Sequence, residues 1–509
     1  MLKKGLFVVT LIALLSIPFL LTRDAKSYTE EMTPCTVKVA GEKLDARCGS
    51  ILVPENRADA NSRTLTLPVT QILATGDVAA DPIFYLAGGP GMSNLGFKPP
   101  LALLENHDLV MVGYRGVDGP VSLHCPEMET AVKGVDNQLF SAAAETGIRE
   151  AVSACGQRLQ SEGVDLDGYT IPEVVLDMEA ARQQLGYGRI HLLSESYGTR
   201  VAQIYAQIAP ESLNRVVMIG VNTPGNFVWE PELIDSQLAQ YGELCAADTY
   251  CQAQTEDLVQ LIRSVNQNMP TQWLGLTISP DKVKAISFVL LFHPSTATYI
   301  FDAYMAASQG DGSGLALMSL AYDMVMPKFT VWGEFLAKGF SADFDPHRDY
   351  SELANPDSVM GSPLAQILWA GADAWSMSSI PEEYRQVHPS SVETLLISGD
   401  IDFSTPIENA TQNLLPSLAN GQQVILKNMG HINDVWHAQP AATERLLTHY
   451  YTTGEVDDSL YVVQEINFAT GLMNLPNVAK GLVGFVILLT LILVGSVILI
   501  VKRIRRRGA

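Results

Sequence analysis

Residues 191–200 read HLLSESYGTR, and this stretch decides the fold of the chain. A short apolar run leads into a serine between small residues, and a segment of helix-forming residues follows. The pattern predicts a strand, a sharp turn and a helix, with Ser196 at the apex. Such a nucleophile elbow projects a serine hydroxyl above a sheet, where the helix N-terminus faces a developing oxyanion. A serine at an ordinary helix N-cap would give a similar string, so other parts of the chain must separate the two interpretations.

The composition indicates a folded protein with an acidic surface. A chain of 509 residues can bury a large core, and 47% of its residues are hydrophobic and 17% charged. The formal net charge of -22 at pH 7 argues against nucleic acid as a partner. The sequence implies no obligate protein partner.

Both ends of the chain indicate a membrane. A short basic start precedes the apolar run 5–21, so residues 1–26 are interpreted as an export signal or an uncleaved N-terminal anchor. Residues 481–501 carry no charge and are long enough, at about 1.5 Å per residue, to cross a hydrocarbon core of about 30 Å. The basic tail 502–509 follows at once. The positive-inside rule then places the tail in the cytoplasm and the body of the protein outside it.

The cysteines fit an extracytoplasmic location. They fall into three sequence-local groups, Cys35 and Cys48, Cys125 and Cys155, and Cys245 and Cys251. An even number of cysteines outside the cytoplasm favours disulfides, and we expect sequential pairing, with buried free thiols as the alternative. Because there is no Cys-x-x-Cys motif and no Cys/His cluster, we expect neither a metal nor another cofactor.

Apolar runs that alternate with helical patterns predict a mostly parallel sheet with helices on both faces. Strands are predicted at residues 81–86, 108–112, 190–193, 215–220, 392–397 and 423–426. Helices of the sheet domain are predicted at residues 172–185, 199–208 and 439–450. From about residue 227 to 389 the alternation stops, and segments such as 232–247, 255–267 and 313–325 have a helical pattern. We interpret this region as an inserted helical cap that covers a site or selects what enters it.

These patterns divide the chain into successive segments. The first part of the sheet domain is expected at residues 27–226, the cap at 227–389 and the second part of the sheet domain at 390–451. A linker, residues 452–480, then leads to the predicted membrane helix.

Three polar residues follow predicted strands and could act together. A serine is a weak nucleophile, so an imidazole must take its proton and a carboxylate must orient that imidazole. Ser196, Asp402 and His431 lie on loops that a parallel sheet brings to one edge, and their order is that of the α/β-hydrolases. Asp402 in a simple turn and His431 on the surface are the alternatives. Asp400 is the rival acid and His437 the rival base.

Several motifs occur in the order of a known family. They are AGGPG at 87–91, YRG at 114–116, LHCP at 123–126, SYGTRVAQIYA at 196–206, GDIDFSTP at 399–406 and GH at 430–431. Together they resemble the prolyl and tripeptidyl aminopeptidase branch of the α/β-hydrolases, the S33-type serine exopeptidases. The similarity spans residues 35–451 and is weakest in the cap. It implies an α/β-hydrolase fold with a cap and the release of one or a few residues from the amino end of peptides.

The resemblance also implies a role for each matching residue. Ser196 would be the nucleophile, Asp402 the acid and His431 the base. The backbone amides of Gly89 and Tyr197 would form the oxyanion hole.

The chain departs from the family pattern at two positions. Ser194 replaces the first glycine of the elbow, and Gly113 stands where an acidic residue often precedes the Arg-Gly motif. An exopeptidase must also bind a free ammonium group, usually with carboxylates. Glu230 and Glu232, at the start of the cap, are candidates for that role; the alternative is that they are solvated acids on an acidic surface.

The interpretation that follows is a membrane-anchored serine aminopeptidase that acts on peptides outside the cytoplasm. An esterase or lipase with the same three residues is an alternative, because fold and triad do not determine the leaving group. A non-catalytic, membrane-tethered binding protein is another. An epoxide or haloalkane hydrolase is disfavoured, because those enzymes need a carboxylate at position 196.

Overall fold

The computed structural model of the chain describes residues 31–76 and 80–507, and the predicted signal or anchor at 1–26 lies outside the described residues. The described strands, numbered along the chain, are β1 (Thr33–Val39), β2 (Glu42–Pro54), β3 (Thr64–Ile72), β4 (Ile83–Leu86), β5 (Leu109–Val112), β6 (Ile190–Glu195), β7 (Leu213–Ile219), β8 (Gln272–Trp273), β9 (Leu276–Thr277), β10 (Glu393–Gly399) and β11 (Gly421–Leu426).

A nine-stranded sheet forms the centre of the described molecule, in the order β1-β2-β3-β5-β4-β6-β7-β10-β11. From β5 to β11 all neighbours are parallel, and these are the six strands predicted from the sequence. β4, β5 and β6 are buried along their whole length, which explains the continuous apolar sequences of β4 and β5. The antiparallel strands β1, β2 and β3 complete one edge, and the sequence analysis did not predict them.

α-Helices lie in the sequence before, within and after the long insertion between β7 and β10. The described α-helices are α1 (Pro126–Ala131), α2 (Ala142–Ser161), α3 (Ile171–Gln184), α4 (Tyr197–Ile208), α5 (Pro231–Ala247), α6 (Thr249–Gln252), α7 (Leu258–Gln267), α8 (Pro280–Leu290), α9 (Pro294–Ser308), α10 (Ser313–Val325), α11 (Trp332–Asp343), α12 (Pro363–Trp369), α13 (Ile432–His437), α14 (Pro440–Thr453) and α15 (Leu475–Arg507). The predicted helix 313–325 coincides with α10, and the predicted helix 255–267 begins three residues before α7.

Helices α5 to α12 and the small hairpin of β8 and β9 lie in sequence between β7 and β10. We use the name cap for this helical region. Many apolar side chains of the cap are buried, and α11 is buried along its whole length. The cap therefore packs as a folded layer, with its own buried side chains, against the rest of the molecule.

All six cysteines are paired in disulfides. The bonds join Cys35 to Cys48, Cys125 to Cys155 and Cys245 to Cys251, which is the sequential pairing that the sequence favours. The first links β1 to β2, the second links the N-cap of α1 to α2, and the third links α5 to α6.

The segment between α14 and α15 lies against the body of the protein. Phe468 is buried and stacks on Phe301 of α9, with ring centroids 6.1 Å apart. The Tyr461 hydroxyl lies 2.8 Å from Thr443 Oγ1 of α14. We call residues 455–474 the strap. It is an ordered connection between the sheet domain and α15.

The last described helix, α15, has two parts. Its first turn packs on the cap: Pro476 and Ala479 are buried, and Lys480 Nζ lies 2.5 Å from Asp311 Oδ2. Residues Leu475–Lys502 of this helix are long and apolar enough to cross a membrane, and an 18-residue window within them has a mean hydropathy of 3.0. The run predicted from the sequence, 481–501, lies within this span.

Candidate active site

Ser196 sits at a tight turn between β6 and α4. Its backbone has φ 50° and ψ -125°, a conformation that is rare for a residue with a side chain and typical of a nucleophile elbow. The turn brings the helix close to β4: a Cβ on Gly198 would lie 2.2 Å from the carbonyl oxygen of Leu86. Only glycine fits at position 198, and the elbow motif therefore has a steric cause.

Ser194 takes the place of the first elbow glycine without disturbing the strand. Its side chain is fully buried, and its hydroxyl donates a hydrogen bond to the carbonyl oxygen of Val217 on β7, at 2.8 Å. Because the buried hydroxyl is satisfied, this departure from the family pattern leaves the elbow intact.

The residues predicted to form a triad are hydrogen-bonded to one another. His431 Nε2 lies 3.0 Å from Ser196 Oγ, and His431 Nδ1 lies 2.8 Å from Asp402 Oδ2. With its proton on Nδ1, facing the carboxylate, the imidazole has a free Nε2 that can accept the serine proton. The arrangement can activate a hydroxyl as a nucleophile.

Asp402 is held by further donors in its own loop. It is 1% exposed, and its Oδ1 accepts the backbone N–H groups of Ser404 and Thr405 at 2.8 and 2.9 Å. The Thr405 hydroxyl donates to Asp402 Oδ2 at 2.7 Å. An ionised carboxylate only accepts hydrogen bonds, so these donors fix its orientation toward the imidazole.

The rival residues have other surroundings. Asp400 accepts the backbone N–H of Asn428 at 2.7 Å and pairs with Lys427 Nζ at 3.1 Å. His437 is exposed at the end of α13. The structure brings Asp402 and His431, and neither of these two, into contact with each other and with Ser196.

The glycine-rich loop 87–91 passes beside the nucleophile. A Cβ on Gly88 would lie 2.8 Å from the Cβ of Ser196, so this part of the loop has room only for backbone. Gly89 has φ 123°, which favours glycine. Tyr197 is the first residue of α4, and its amide follows Ser196 directly. The loop that carries Gly89 therefore approaches Ser196 at Gly88, and the Tyr197 amide follows Ser196 in the sequence.

The family model described as the alpha/beta hydrolase fold matches residues 81–261 of the chain. That range contains the glycine-rich loop, the elbow and the parallel strands β4 to β7. The chain has an α/β-hydrolase fold. Asp402 and His431 lie beyond the matched range, at the end of β10 and after β11, on the same sheet.

Curated relatives of this α/β-hydrolase fold protein include peptidases. The tripeptidyl aminopeptidase of Streptomyces lividans is 25% identical over 253 residues, which cover 46% of this chain and 46% of that protein. The serine protease Hip1 of Mycobacterium tuberculosis is 26% identical over 250 residues, covering 43% of this chain and 46% of that protein. The matches therefore span about half the length of these relatives.

Among solved structures, a serine hydrolase from the polyaromatic-hydrocarbon-degrading bacterium Cycloclasticus zankles is similar to the chain. The sequences are 14% identical, the TM-score is 0.38, and the match covers 81% of this chain and 100% of that chain.

The α/β-hydrolase core also explains the second departure from the family motifs. A Cβ on Gly113 would lie 2.6 Å from the Cβ of Asp118, so a larger residue does not fit there. The arginine of the Tyr-Arg-Gly motif, Arg115, is fully buried and donates to Asp177 Oδ2 and Oδ1 at 2.7 and 2.6 Å. The Tyr-Arg-Gly motif thus has a structural role, since its cation joins the loop to α3.

Glu230 and Glu232, the predicted ammonium ligands, already have partners. Glu230 accepts two hydrogen bonds from the Arg348 guanidinium, each 2.8 Å long. Glu232 Oε1 accepts from Asn355 Nδ2 at 3.0 Å. Trp229, which precedes Glu230, donates from Nε1 to the carbonyl oxygen of Ser404 at 2.8 Å. The start of the cap therefore touches the Asp402 loop. A substrate ammonium would have to compete with Arg348 for Glu230.

Glu195 is a site residue that the sequence analysis missed. It is 5% exposed, accepts a hydrogen bond from the Tyr85 hydroxyl at 2.6 Å and accepts another from Trp436 Nε1. Burial raises the pKa of its carboxyl above the usual value. Because Trp436 is on α13, which follows His431 directly, Glu195 joins the elbow to the histidine loop. The sequence signal that could have identified Glu195 is its position inside the elbow pentapeptide, residues 194–198.

The cap also supplies contacts that the sequence analysis missed. The backbone N–H of His431 donates to the carbonyl oxygen of Phe292, between α8 and α9, at 2.7 Å. Their rings are also in contact, with centroids 5.6 Å apart. Local sequence patterns give no sign of a contact between such distant positions. The cap therefore fixes the histidine loop as well as lying near the site.

Proposed function

We propose that the protein is a serine hydrolase that cleaves peptides near their amino end. The observation that carries this proposal is the hydrogen-bonded chain from Ser196 Oγ through His431 to Asp402, with contacts of 3.0 and 2.8 Å. In the first step Ser196 Oγ attacks the substrate carbonyl carbon while His431 Nε2 takes its proton. Asp402 holds the imidazole in place and stabilises the cation that forms.

The reaction is completed in two further steps. His431 gives the proton to the leaving amine, and the shortened peptide departs while an acyl group remains on Ser196. Water then attacks the acyl carbon with His431 as the base, and Ser196 regains its proton. We propose that the amides of Gly89 and Tyr197 donate to the oxyanion in both tetrahedral intermediates.

The choice of peptide substrates is supported by the relatives named tripeptidyl aminopeptidase and serine protease. We propose the release of one to a few residues from free amino ends. Glu230 and Glu232 remain the proposed ammonium ligands, with Arg348 displaced from Glu230 when substrate binds.

The C-terminal helix and the disulfides support a proposal for where the protein acts. We propose that α15 crosses a membrane once and that the basic tail 502–509 lies in the cytoplasm. The sheet domain and the cap then lie outside the cytoplasm, which fits the three disulfides.

The test uses the full-length protein in detergent. Peptides with free amino ends and the same peptides N-acetylated are incubated with the protein, and the products are identified by mass spectrometry. Loss of amino-terminal residues from the free peptides alone, absent with Ser196→Ala, is the expected result. Turnover of esters with no peptide cleavage would replace the peptidase proposal by an esterase. Absence of any turnover that depends on Ser196 would contradict the proposal as a whole.

A further inference from the structure

Residues at the start of α11 and just before it are hydrogen-bonded to the glycine-rich loop 87–91. Thr330 Oγ1 donates to the carbonyl oxygen of Pro90 at 2.9 Å. The backbone N–H of Val331 donates to the carbonyl oxygen of Gly91 at 3.0 Å. Glu334, in the first turn of α11, accepts the backbone N–H of Gly91 through Oε2. Both backbone polar groups of Gly91 are therefore held by the cap.

Glu334 makes this contact from a fully buried position. It is 0% exposed and pairs with the ammonium of Lys338, one turn further along α11, which is also buried. Burial raises the pKa of the Glu334 carboxyl, and the nearby Lys338 opposes that shift. Lys338 Nζ also lies 3.9 Å from the centre of the Tyr114 ring, whose hydroxyl donates to the carbonyl oxygen of Ala87 at 3.1 Å. The ion pair thus reaches the loop at both of its ends.

The same helix touches the other proposed oxyanion donor. The hydroxyl of Tyr197 donates to the backbone carbonyl oxygen of Lys338 at 3.1 Å, and the Tyr197 side chain is buried. One helix of the cap is therefore in contact with the loop that carries Gly89 and with the side chain of Tyr197.

We propose that Glu334 is a positioning residue for the oxyanion hole, and that Lys338 supports it by neutralising its buried charge. The inference rests on the proposed function of Ser196. Donors stabilise an oxyanion most when they are fixed before the charge develops. Glu334 holds Gly91, two residues from Gly89, and so keeps the Gly89 amide from turning away. The cap is then part of the catalytic apparatus as well as a cover.

Two charge-balanced double variants isolate the contact with Gly91. Glu334→Gln/Lys338→Met removes the ion pair and keeps a side-chain oxygen that can accept the Gly91 N–H. Glu334→Leu/Lys338→Met also removes the ion pair but has no acceptor. The control is Lys282→Met, which removes another buried cap lysine, one that contacts Asp323 and Asn137. Thermal unfolding and circular dichroism show whether each variant is folded.

The kinetic readout is turnover of an amino-terminal peptide substrate. We expect the Leu/Met variant to lose about 10- to 100-fold in kcat with KM nearly unchanged. Its affinity for a peptide boronate, whose adduct on Ser196 places an oxygen in the oxyanion hole, should fall by a similar factor. The Gln/Met variant and Lys282→Met should stay within a few-fold of the unaltered protein. Equal kcat in the two double variants would overturn the proposal.

A second readout does not depend on turnover. Hydrogen–deuterium exchange of a peptide that contains residues 88–91 should be faster in the Leu/Met variant than in the Gln/Met variant. Equal exchange in the two would overturn the positioning role even if the protein is an active hydrolase. Faster exchange in a protein that shows no Ser196-dependent turnover would support the contact and contradict the proposed function instead.

Discussion

Thr405 is not a member of the proposed triad, but its side chain contacts both the acid and the base of that triad. Its hydroxyl donates to Asp402 Oδ2 at 2.7 Å and lies 3.2 Å from His431 Nδ1. The hydroxyl helps to keep the Asp402 carboxylate aimed at the imidazole. Because Thr405 touches both Asp402 and His431 without reacting, its substitution should change kcat more than it changes KM.

We expect Thr405→Val, which keeps the shape and removes the hydroxyl, to lower kcat about 10-fold. One hydrogen bond to a charged group is worth about 1.5–3 kcal/mol, and part of that is recovered from the backbone donors that remain. Thr405→Ser, which keeps the donor, should stay within about 3-fold. Steady-state kinetics with a peptide substrate measures both variants, and equal losses in the two would contradict the role of the hydroxyl.

His191, in the stretch that leads to the elbow, should make stability depend on pH. It is buried beside His107 and Tyr451, with ring centroids 5.3 and 4.9 Å away, and burial lowers its pKa to about 3. The unfolded chain binds this proton below about pH 6.5, but the folded protein does not until about pH 3. Stability is therefore fully present above about pH 6.5 and falls as the pH drops through that window.

The expected slope from His191 is up to about 1.4 kcal/mol per pH unit. His107, whose pKa burial also lowers, adds in the same direction. We expect His191→Leu to flatten the fall of the unfolding temperature between pH 7 and pH 5, measured by thermal unfolding in detergent. His388→Asn, at an exposed position, is the control and should leave the slope unchanged. A slope that is the same in His191→Leu would contradict this account.

At the scale of elements, the parallel core was predictable and the contacts of the cap were not. β4, β5 and β6 are buried on both faces, so their apolar runs are visible in the sequence, and the polar residues that follow parallel strands meet at one edge. The antiparallel strand β3 was missed, because Pro68 at its centre argues against a strand that pairs on both edges. Glu334 and Gly91 are 243 positions apart, and a local pattern gives no sign of which buried glutamate meets which loop.

The two disulfides that involve helices should stabilise the protein to different extents. The bond between Cys125 and Cys155 closes 30 positions and that between Cys245 and Cys251 closes 6, and all four residues are buried. In the chain-entropy model, a longer loop constrains the unfolded chain more. Replacing the first pair by alanines should therefore cost about 3–4 kcal/mol of unfolding free energy and replacing the second about 2 kcal/mol. Thermal unfolding of the two double variants should preserve that order; the reverse order would contradict it.

At the scale of the whole molecule, the strap makes the C-terminal connection part of the folded body. Gln439, at the N-cap of α14, exchanges two hydrogen bonds with the backbone of Val462, at 2.7 and 3.0 Å. Phe468 is 3% exposed. These contacts tie the sheet domain and the cap to the start of α15, so the body cannot turn freely above the proposed membrane span.

Two truncations test the strap. A chain that stops after residue 480 keeps the strap and its contacts, and it should unfold at nearly the same temperature as the full-length protein. A chain that stops after residue 453 leaves the surface under Phe468 exposed and should lose about 2–3 kcal/mol of stability from that side chain alone. Differential scanning fluorimetry of the two proteins gives the comparison. Equal stability would show that the strap contributes nothing to the fold.

Covalent labelling shows whether Ser196 is a nucleophile that His431 activates. The full-length protein is treated with a fluorophosphonate, and intact-protein and peptide mass spectrometry locate the adduct. We predict one adduct per chain, on Ser196, with labelling at least about 1000-fold slower in His431→Ala. A folded protein that stays unlabelled, or that is labelled at another residue, would contradict the account.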